Sequence, residues 1–592
     1  MINQELAEAA DRLWGEGDQA QALSLYQRIF QAAPNDIKAL TVYANALISM
    51  RQASKALELL QSFSGSSDLA VSLASIKAKA LLALGDQAQS LDLFHEVIKR
   101  NPNWADGWND YGCALLQVGR SSEAAPCFSK ALTIDLHHEK ACLGLAKIQK
   151  NQGKLEQAKS TLFDFLRHSN SANIRRALIP ILLKLNEKDE ALTQAQTLTR
   201  ALDATSDDYM LEARTLFSMG RLRNYIALLD TLGDRTWKGV SVKSIAIGAL
   251  AESGHAEDVQ LRLQQHLTEN PSDANARLVE AREALRTGDF EKGWKSYAYR
   301  LRLPANQIHY GLSPNWAGEP LKNRDILVLG EQGVGDVCYF SRFLKPLLED
   351  NPNSSLIIEP RIANLIEDQL PGLHIFSEPS HMNLAASARC KIALGSLPLL
   401  YGRSAEEIRS HFNPLKVGEN AVQCMRDRID KDSHYNYRVG ISFIAGRQGD
   451  EYQRLKRTLP RSEVLRQFKD FPVTLVNLEH NEFPRQLIEE AELLGLQVLH
   501  YPDLTQDLRL LAATISALDL VVTSQQTNAH LSGALNKRGL VLLPPGCHFV
   551  YGNSDQSVWY PSLQLIRASK WGDWQDACKT LREILEQEIT NG

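Results

Sequence analysis

The sequence predicts a two-part chain: an α superhelix of stacked helix pairs over the first half, then two α/β lobes over the second. Three observations predict it. A short turn motif recurs about every 34 residues as far as residue 300. Strand-like and helix-like stretches alternate from Asp325 onward, which implies parallel, doubly wound sheets. At 592 residues, the chain is also too long for a single hydrophobic core.

The repeat is read from its turns. Gly17-Asp18 with Ala22 recurs one period later as Arg51-Gln52 with Ala56, then as Gly85-Asp86, Gly119-Arg120 and Gly153-Lys154. Later copies drift by a residue, at Glu187-Lys188, Gly220-Arg221, Gly254-His255 and Gly288-Asp289. A glycine in the inter-helix turn, a small residue five positions on, and Pro34, Pro102 and Pro271 between copies match the tetratricopeptide repeat. About nine units fill residues 1–300. Each unit is a helix pair that cannot bury its apolar faces alone, so stacking is obligatory and leaves a concave groove. Such arrays bind a protein segment or drive self-association into a homo-oligomer. Asn109, on the first helix of a unit, is the candidate acceptor-binding residue, since an amide can hold a peptide backbone from both sides. A solvated face residue is the alternative.

Residues 301–322 are a connector broken by Leu303-Pro304 and Ser313-Pro314, with Trp316 expected to pack on the next domain. The first lobe is expected over 323–432, with strands Asp325–Leu329, Ser355–Glu359 and His374–Phe376. The second lobe, over 433–592, has strands Tyr437–Phe443, Val473–Leu478, Leu496–His500, Leu518–Thr523 and Gly539–Leu543, and a closing helix, Trp574–Ile589. Two such lobes face each other across a cleft at the carboxyl ends of their strands, where ligands of these sheets bind.

Composition excludes several classes. A net charge of -5 gives no general surface for nucleic acid or anionic membrane. No apolar run is long enough to span a bilayer, and the N-terminus lacks the basic segment of a secretory signal, so a cytoplasmic protein is expected. The eight cysteines are scattered without a C-x-x-C pair, which fits buried thiols rather than zinc ligands. No Asp-x-Asp or histidine cluster stands near the cleft loops, so no metal is assigned.

The candidate chemistry centres on Asp325–Lys345, where strand, glycine turn and helix follow in sequence. Gly330, Gly333 and Gly335 are spaced G-x-x-G-x-G, which does not fit a dinucleotide fingerprint, and no P-loop G-K-[ST] is present. Gly333 and Gly335 would turn backbone N–H groups toward an anion. Asp336 comes next, as an N-cap or as a general base. In the second lobe, Arg447, with Arg454, Lys456, Arg457 and Arg461 downstream, suits a phosphate or a solvated basic face. Ser524, Gln525, Gln526 and Thr527 join a strand to a helix and can grip a phosphate or ribose. His530 lies in the first turn of that helix, as a ligand or as a core residue.

Taken in order, Asn315–Pro320 (NWAGEP), Gly330–Asp336 (GEQGVGD), Val439–Arg447 with Arg457–Pro460, Leu518–Pro544 with Ala529–Leu535, and Val558–Pro561 with Gly572–Trp574 resemble a known group. The chain resembles bacterial tetratricopeptide-repeat proteins with a heptosyltransferase-like GT-B glycosyltransferase domain, and within them the flagellin glycosyltransferases. The resemblance implies two Rossmann-like lobes and an inverting, metal-independent transfer of a nucleotide-activated sugar, a CMP-linked nonulosonic acid favoured, to Ser or Thr of a protein held by the repeats. No cofactor is implied beyond the nucleotide sugar. Asp336 matches the base, Arg447 a position near the donor phosphates, and His530 the histidine of the donor turn. Where that turn usually carries an aspartate followed by Ser or Thr, this chain has Gln525 and Gln526. Three other readings stay open: a catalytically degenerate binding scaffold, a heptosyltransferase-like enzyme acting on glycans, and a protein transferase using a UDP-sugar.

Overall fold

The structure is a computed structural model. It describes residues 2–590 apart from 35, 62–66, 304–314, 318, 320–325, 332, 371, 378–389, 445–457 and 480–483. The chain divides into two compact units, Met1–Thr215 and Leu216–Gly592.

In the first unit, helices run antiparallel in pairs from α1 (Ile2–Glu16) and α2 (Gln19–Ala32) onward. Their turns need a left-handed residue: Gly17, Gly85, Gly119 and Gly153 all have positive φ. Arg51 (φ 57°) and Asn186 (φ 62°) take that conformation where glycine is lacking, so the sixth turn hinges on Asn186 rather than on Glu187. Asp18, Asp86 and Ser171 cap the helices after them by accepting backbone N–H bonds. Packing explains the small residues of the pattern. The fully buried ring of Phe128 lies against Gly112 and Gly144, and a β-carbon at Gly144 would come within 2.8 Å of it.

The second unit begins with further helix pairs. A two-residue hairpin, β1 (Thr236–Trp237) against β2 (Val240–Ser241), interrupts the array before α15 (Val242–Glu252). Helices α16 (Ala256–Glu269), α17 (Ala274–Thr287) and α18 (Phe290–Tyr297) come next, and a 3-10 turn, Ala298–Arg302, ends the array. These last repeats share one core with the α/β lobes. The Trp294 indole is buried and donates to the Gly402 carbonyl at 2.7 Å. Gly546 donates its N–H to the Glu252 carbonyl at 3.1 Å. The Pro544-Pro545-Gly546 segment after the strand Gly539–Leu543 is therefore covered by the end of α15, and Pro545 stands 2.8 Å from where a β-carbon on Gly254 would be.

The first sheet has strand order β5-β4-β3-β6, all parallel: β3 (Ile326–Leu329), β4 (Ser355–Ile357), β5 (His374–Phe376) and β6 (Cys390–Ala393). The second has order β12-β11-β10-β7-β8-β9, also parallel: β7 (Tyr437–Ser442), β8 (Val473–Asn477), β9 (Gln497–His500), β10 (Leu520–Ser524), β11 (Gly539–Leu543) and β12 (Leu563–Arg567). The two sheets form a tandem of Rossmann-like lobes. Strand β12 was not expected; its LQLIR run lacks the β-branched density of the other strands. Trp316 is buried, as expected, with its N–H on the Lys391 carbonyl at 2.8 Å. The order of each sheet reverses once, between β3 and β6 and between β7 and β10. Loops at such reversals open a crevice at the carboxyl ends of the strands.

The helices of the two lobes are α19 (Val334–Phe340), α20 (Leu344–Asp350), α21 (Pro360–Glu367), α22 (Pro398–Tyr401), α23 (Ala405–Ser410), α24 (Glu419–Asp432), α25 (Arg461–Arg466), α26 (Pro484–Glu492), α27 (Leu508–Ala517), α28 (Thr527–Ala534) and α29 (Gln575–Thr590). One hydrophobic cluster runs from Trp294 and Tyr297 through Val337, Phe340 and Phe343 to Val541, Phe549, Trp559 and Tyr560. The lobes are thus joined by a continuous core beside the crevice.

Candidate active site

The glycine turn comes directly after β3, at the reversal point of the first sheet. Gly330 hugs β4, donating its N–H to the Ile357 carbonyl at 2.6 Å, and a β-carbon there would collide with Ile357 and Ile358. Gly333 is the N-cap of α19. Asp336 is not an N-cap: it is the third residue of the helix, and its Oδ2 accepts the Gly333 N–H at 3.1 Å. Its Oδ1 accepts the hydroxyl of Tyr339, one turn on.

This arrangement gives Gly333 and Gly335, expected to bind the donor, partners within the chain. The anion that the turn meets is the chain's own carboxylate, because Gly333 gives its N–H to Asp336. Gly335 faces the second lobe instead, and a β-carbon on it would stand 3.0 Å from His530 Cδ2. Asp336 is half-buried. Burial pushes its carboxyl above the usual carboxylate range, the nearby Glu331 charge adds to this, and the bonds from Tyr339 and Gly333 oppose it. Burial also holds the Tyr339 phenol well above its ordinary value, so it remains a donor to the carboxylate.

At the reversal point of the second sheet, β10 ends at Ser524 and α28 begins at Thr527. The Ser524 hydroxyl is buried and has no hydrogen-bond partner among the described residues. Gln526 is the N-cap of α28, and its amide donates to Thr523 Oγ1 at 3.2 Å. Thr527 is exposed. Gln525 is buried, and its Oε1 accepts the His548 N–H at 2.9 Å. The glutamine that replaces the aspartate of the resembling family thus fixes the loop after β11.

His530 is buried between the lobes. The Tyr551 hydroxyl stands 3.4 Å from its Nε2, and the Tyr560 hydroxyl 3.4 Å from its Nδ1. Its ring lies 5.2 Å from that of Tyr339. The imidazole is enclosed by tyrosines against α19, the surroundings that the core-residue alternative for His530 describes. Arg447 and Arg457, with Arg454 and Lys456, lie outside the described residues.

Asn109, in α7 (Ala105–Gln117) of the first unit, is only 5% exposed, and its Oδ1 has no partner among the described residues. Asn109 lies three residues after Asp106 and four before Cys113, at the edge of the exposed stripe of α7 that runs through Asp106, Cys113 and Gln117, and spacing along the helix alone does not show that it is covered there. Its amide is not presented for a bound peptide.

Three polar residues went unread in the sequence. Tyr339 is one. Glu479, buried just past β8, accepts the N–H groups of Phe443 and Ile444 and so shapes the loop after β7. A lone glutamate directly after an apolar strand was the only available signal. The third is Glu331, inside the glycine turn, which pairs with Arg300. Among the described residues, no group of three or more His, Cys, Asp or Glu side chains is placed to hold a metal ion. Among them, too, no helix is long and apolar enough to cross a membrane.

The chain thus defines a class: tetratricopeptide repeats joined to tandem parallel α/β lobes. Family models described as tetratricopeptide repeat match residues 13–66, 76–103 and 105–138. Over 332 residues the chain is 23% identical to Protein FlbA of Caulobacter vibrioides, covering 52% of this chain and 54% of that one. It is 26% identical over 128 residues to DnaJ homolog subfamily C member 3 of Bos taurus, covering 22% and 25%. The chain therefore spans about half the length of the first of these curated relatives and a quarter of the second. Among solved structures it is similar to the glycosyl transferase family 9 protein from Veillonella parvula DSM 2008, at 12% identity and TM-score 0.35, covering 46% of this chain and 99% of that one.

Proposed function

We propose that the chain is an inverting, metal-independent protein O-glycosyltransferase of the GT-B type. Its acceptor is a flagellin held by the repeat array, and its donor is a nucleotide sugar, a CMP-linked nonulosonic acid first. The observation that carries this reading is Asp336, a half-buried carboxylate at the reversal point of the first sheet, oriented by Gly333 and Tyr339 and made more basic by burial. In the reaction, a Ser or Thr hydroxyl attacks the anomeric carbon and gives its proton to Asp336. The bond from that carbon to the nucleotide oxygen breaks, and the nucleotide leaves with the electron pair. Ser524, Gln526, Thr527 and the first N–H groups of α28 would meet the leaving phosphate, with Arg447 and Arg457 as further cations. The array would lower the entropy cost of presenting the hydroxyl. The choice of flagellin, of CMP and of the cytoplasm rests on the sequence resemblance.

Intact-mass measurement on purified flagellin incubated with the chain and a CMP-nonulosonic acid tests the reading. A mass gain of one sugar, kept in EDTA and lost in Asp336→Asn, is expected. No mass gain and no nucleotide release with CMP-, UDP- or ADP-linked sugars would sink it. One observation favours the scaffold as second reading: Gln525 is committed to the His548 N–H and His530 is enclosed by tyrosines. That reading expects tight flagellin binding without nucleotide release.

A further inference from the structure

The turn that ends the repeat array carries Arg300, 1% exposed, and its guanidinium reaches into the glycine turn of the first lobe. Nε lies 3.0 and 3.1 Å from the two carboxylate oxygens of Glu331, and Nη2 pairs with the same carboxylate. Nη2 also donates to Ser396 Oγ at 2.9 Å, and Nη1 to the Tyr297 carbonyl at 3.3 Å. The guanidinium carbon stands 4.5 Å from the centre of the Tyr297 ring. Glu331 accepts one bond more, from the Gly395 N–H at 2.9 Å. Gly395 makes room for the pair: a β-carbon there would be 2.6 Å from Glu331 Oε1 and 3.2 Å from Arg300 Nη2.

Glu331 is the middle anchor of the turn. Gly330 before it is fixed on β4, and Gly333 after it is fixed by Asp336. A buried ion pair adds little net stability over an apolar pair of the same shape, but losing one member leaves an uncompensated charge. Its effect is therefore mainly geometric, and it acts on the segment that aims Asp336. We propose that Arg300 is a positioning residue of the site, so that the last turn of the repeat array and the first lobe build the glycine turn jointly. The consequence for transfer rests on Asp336 being the base; the hold on the turn does not.

Hydrogen–deuterium exchange on the full chain tests the hold directly, in wild type, Arg300→Met, Arg300→Lys and Glu331→Gln. Peptides covering 326–340 should exchange about tenfold faster or more in Arg300→Met, while β10 and β11 keep wild-type protection. Arg300→Lys keeps the charge but cannot span both carboxylate oxygens and Ser396, so it should fall between. If Arg300→Met does not fold, Arg300→Lys and Glu331→Gln carry the same comparison. Wild-type protection over 326–340 in a folded Arg300 variant overturns the proposal, and so does an equal rise in exchange across both sheets. Where wild type transfers sugar, kcat in Arg300→Lys should drop about tenfold with donor KM held within about threefold, because the displaced group is the base and not the donor site. An unchanged kcat also overturns the proposal. A wild type that never transfers fails the reading of the site, while the exchange result still decides this one.

Discussion

Gly335 and His530 meet where the two lobes join: a β-carbon at 335 would stand 3.0 Å from His530 Cδ2. The histidine cannot readily yield, because Tyr339, Tyr551 and Tyr560 surround it. Gly335→Ala should therefore destabilise the second unit by about 1–3 kcal/mol, the usual cost of overpacking. Gly333→Ala is the control, since a β-carbon there would meet only Asp336 Oδ2, at 3.7 Å. Thermal unfolding of the two variants should separate them clearly. Equal stabilities would mean that α19 and α28 are not in close contact.

The Asp336 carboxyl titrates above the ordinary aspartate value because burial disfavours its charge. If it is the base, transfer should fall on acidification through that raised pKa, with the acidic limb of kcat/KM above pH 3.8. The sign for stability is set by proton binding. Between the unfolded and the raised folded pKa, the folded state holds more protons, so stability relative to Asp336→Asn should rise as pH falls through this window. Urea unfolding of both proteins across pH 4–7 would measure it, with each pKa unit worth about 1.4 kcal/mol. A flat difference would remove the buried-carboxylate account.

Much of this site was legible locally, and its failures were tertiary. The strand, the glycine turn and the helix after it are set by neighbours in sequence, so Asp336 could be placed at the helix start, as an N-cap or a base, and it is the third residue of that helix. Tyr339 lies one turn on and could have been read as its partner from helical spacing. Arg300 could not be assigned, because its partner is 31 residues away across a proline-broken connector. His530 was placed in the right turn, but the tyrosines around it come from α19 (Tyr339) and from residues after β11 (Tyr551 and Tyr560), which sequence spacing does not bring to it. Asn109 was expected on an accessible face, as a contact or as a solvated residue, and its helix was right; its burial is set by packing from outside the helix, which spacing from Asp106 and Cys113 does not give.

Asn109 and the exposed stripe of α7 give opposite expectations for the acceptor. Asn109→Ala removes a buried amide and should cost the first unit about 1 kcal/mol or less, since its Oδ1 makes no hydrogen bond among the described residues. Flagellin affinity should not change. Asp106→Lys with Gln117→Lys alters the exposed stripe and should weaken binding about fivefold or more if the acceptor lies along it. Isothermal titration of both variants would decide. Weakening by Asn109→Ala alone would restore that residue as the contact.

Trp294 decides where the array ends and the lobes begin. It belongs by sequence to the last repeat, yet its N–H bonds Gly402 in the first lobe, and its ring meets Phe340, Phe549 and Trp559 edge-on. Trp294→Ala should cost the second unit about 3–5 kcal/mol, a loss of core volume on the scale of its net stability. The first unit, which holds none of these partners, should unfold as in wild type. The same contacts govern truncation: a chain beginning at residue 301 loses Trp294 and Arg300 together, and should fail to give a folded second unit by near-UV circular dichroism. Loss of transfer in such a chain would therefore not report recruitment by the repeats, whereas substitutions on the exposed face of α7 would. A folded and active chain from residue 301 would show instead that the lobes need neither residue.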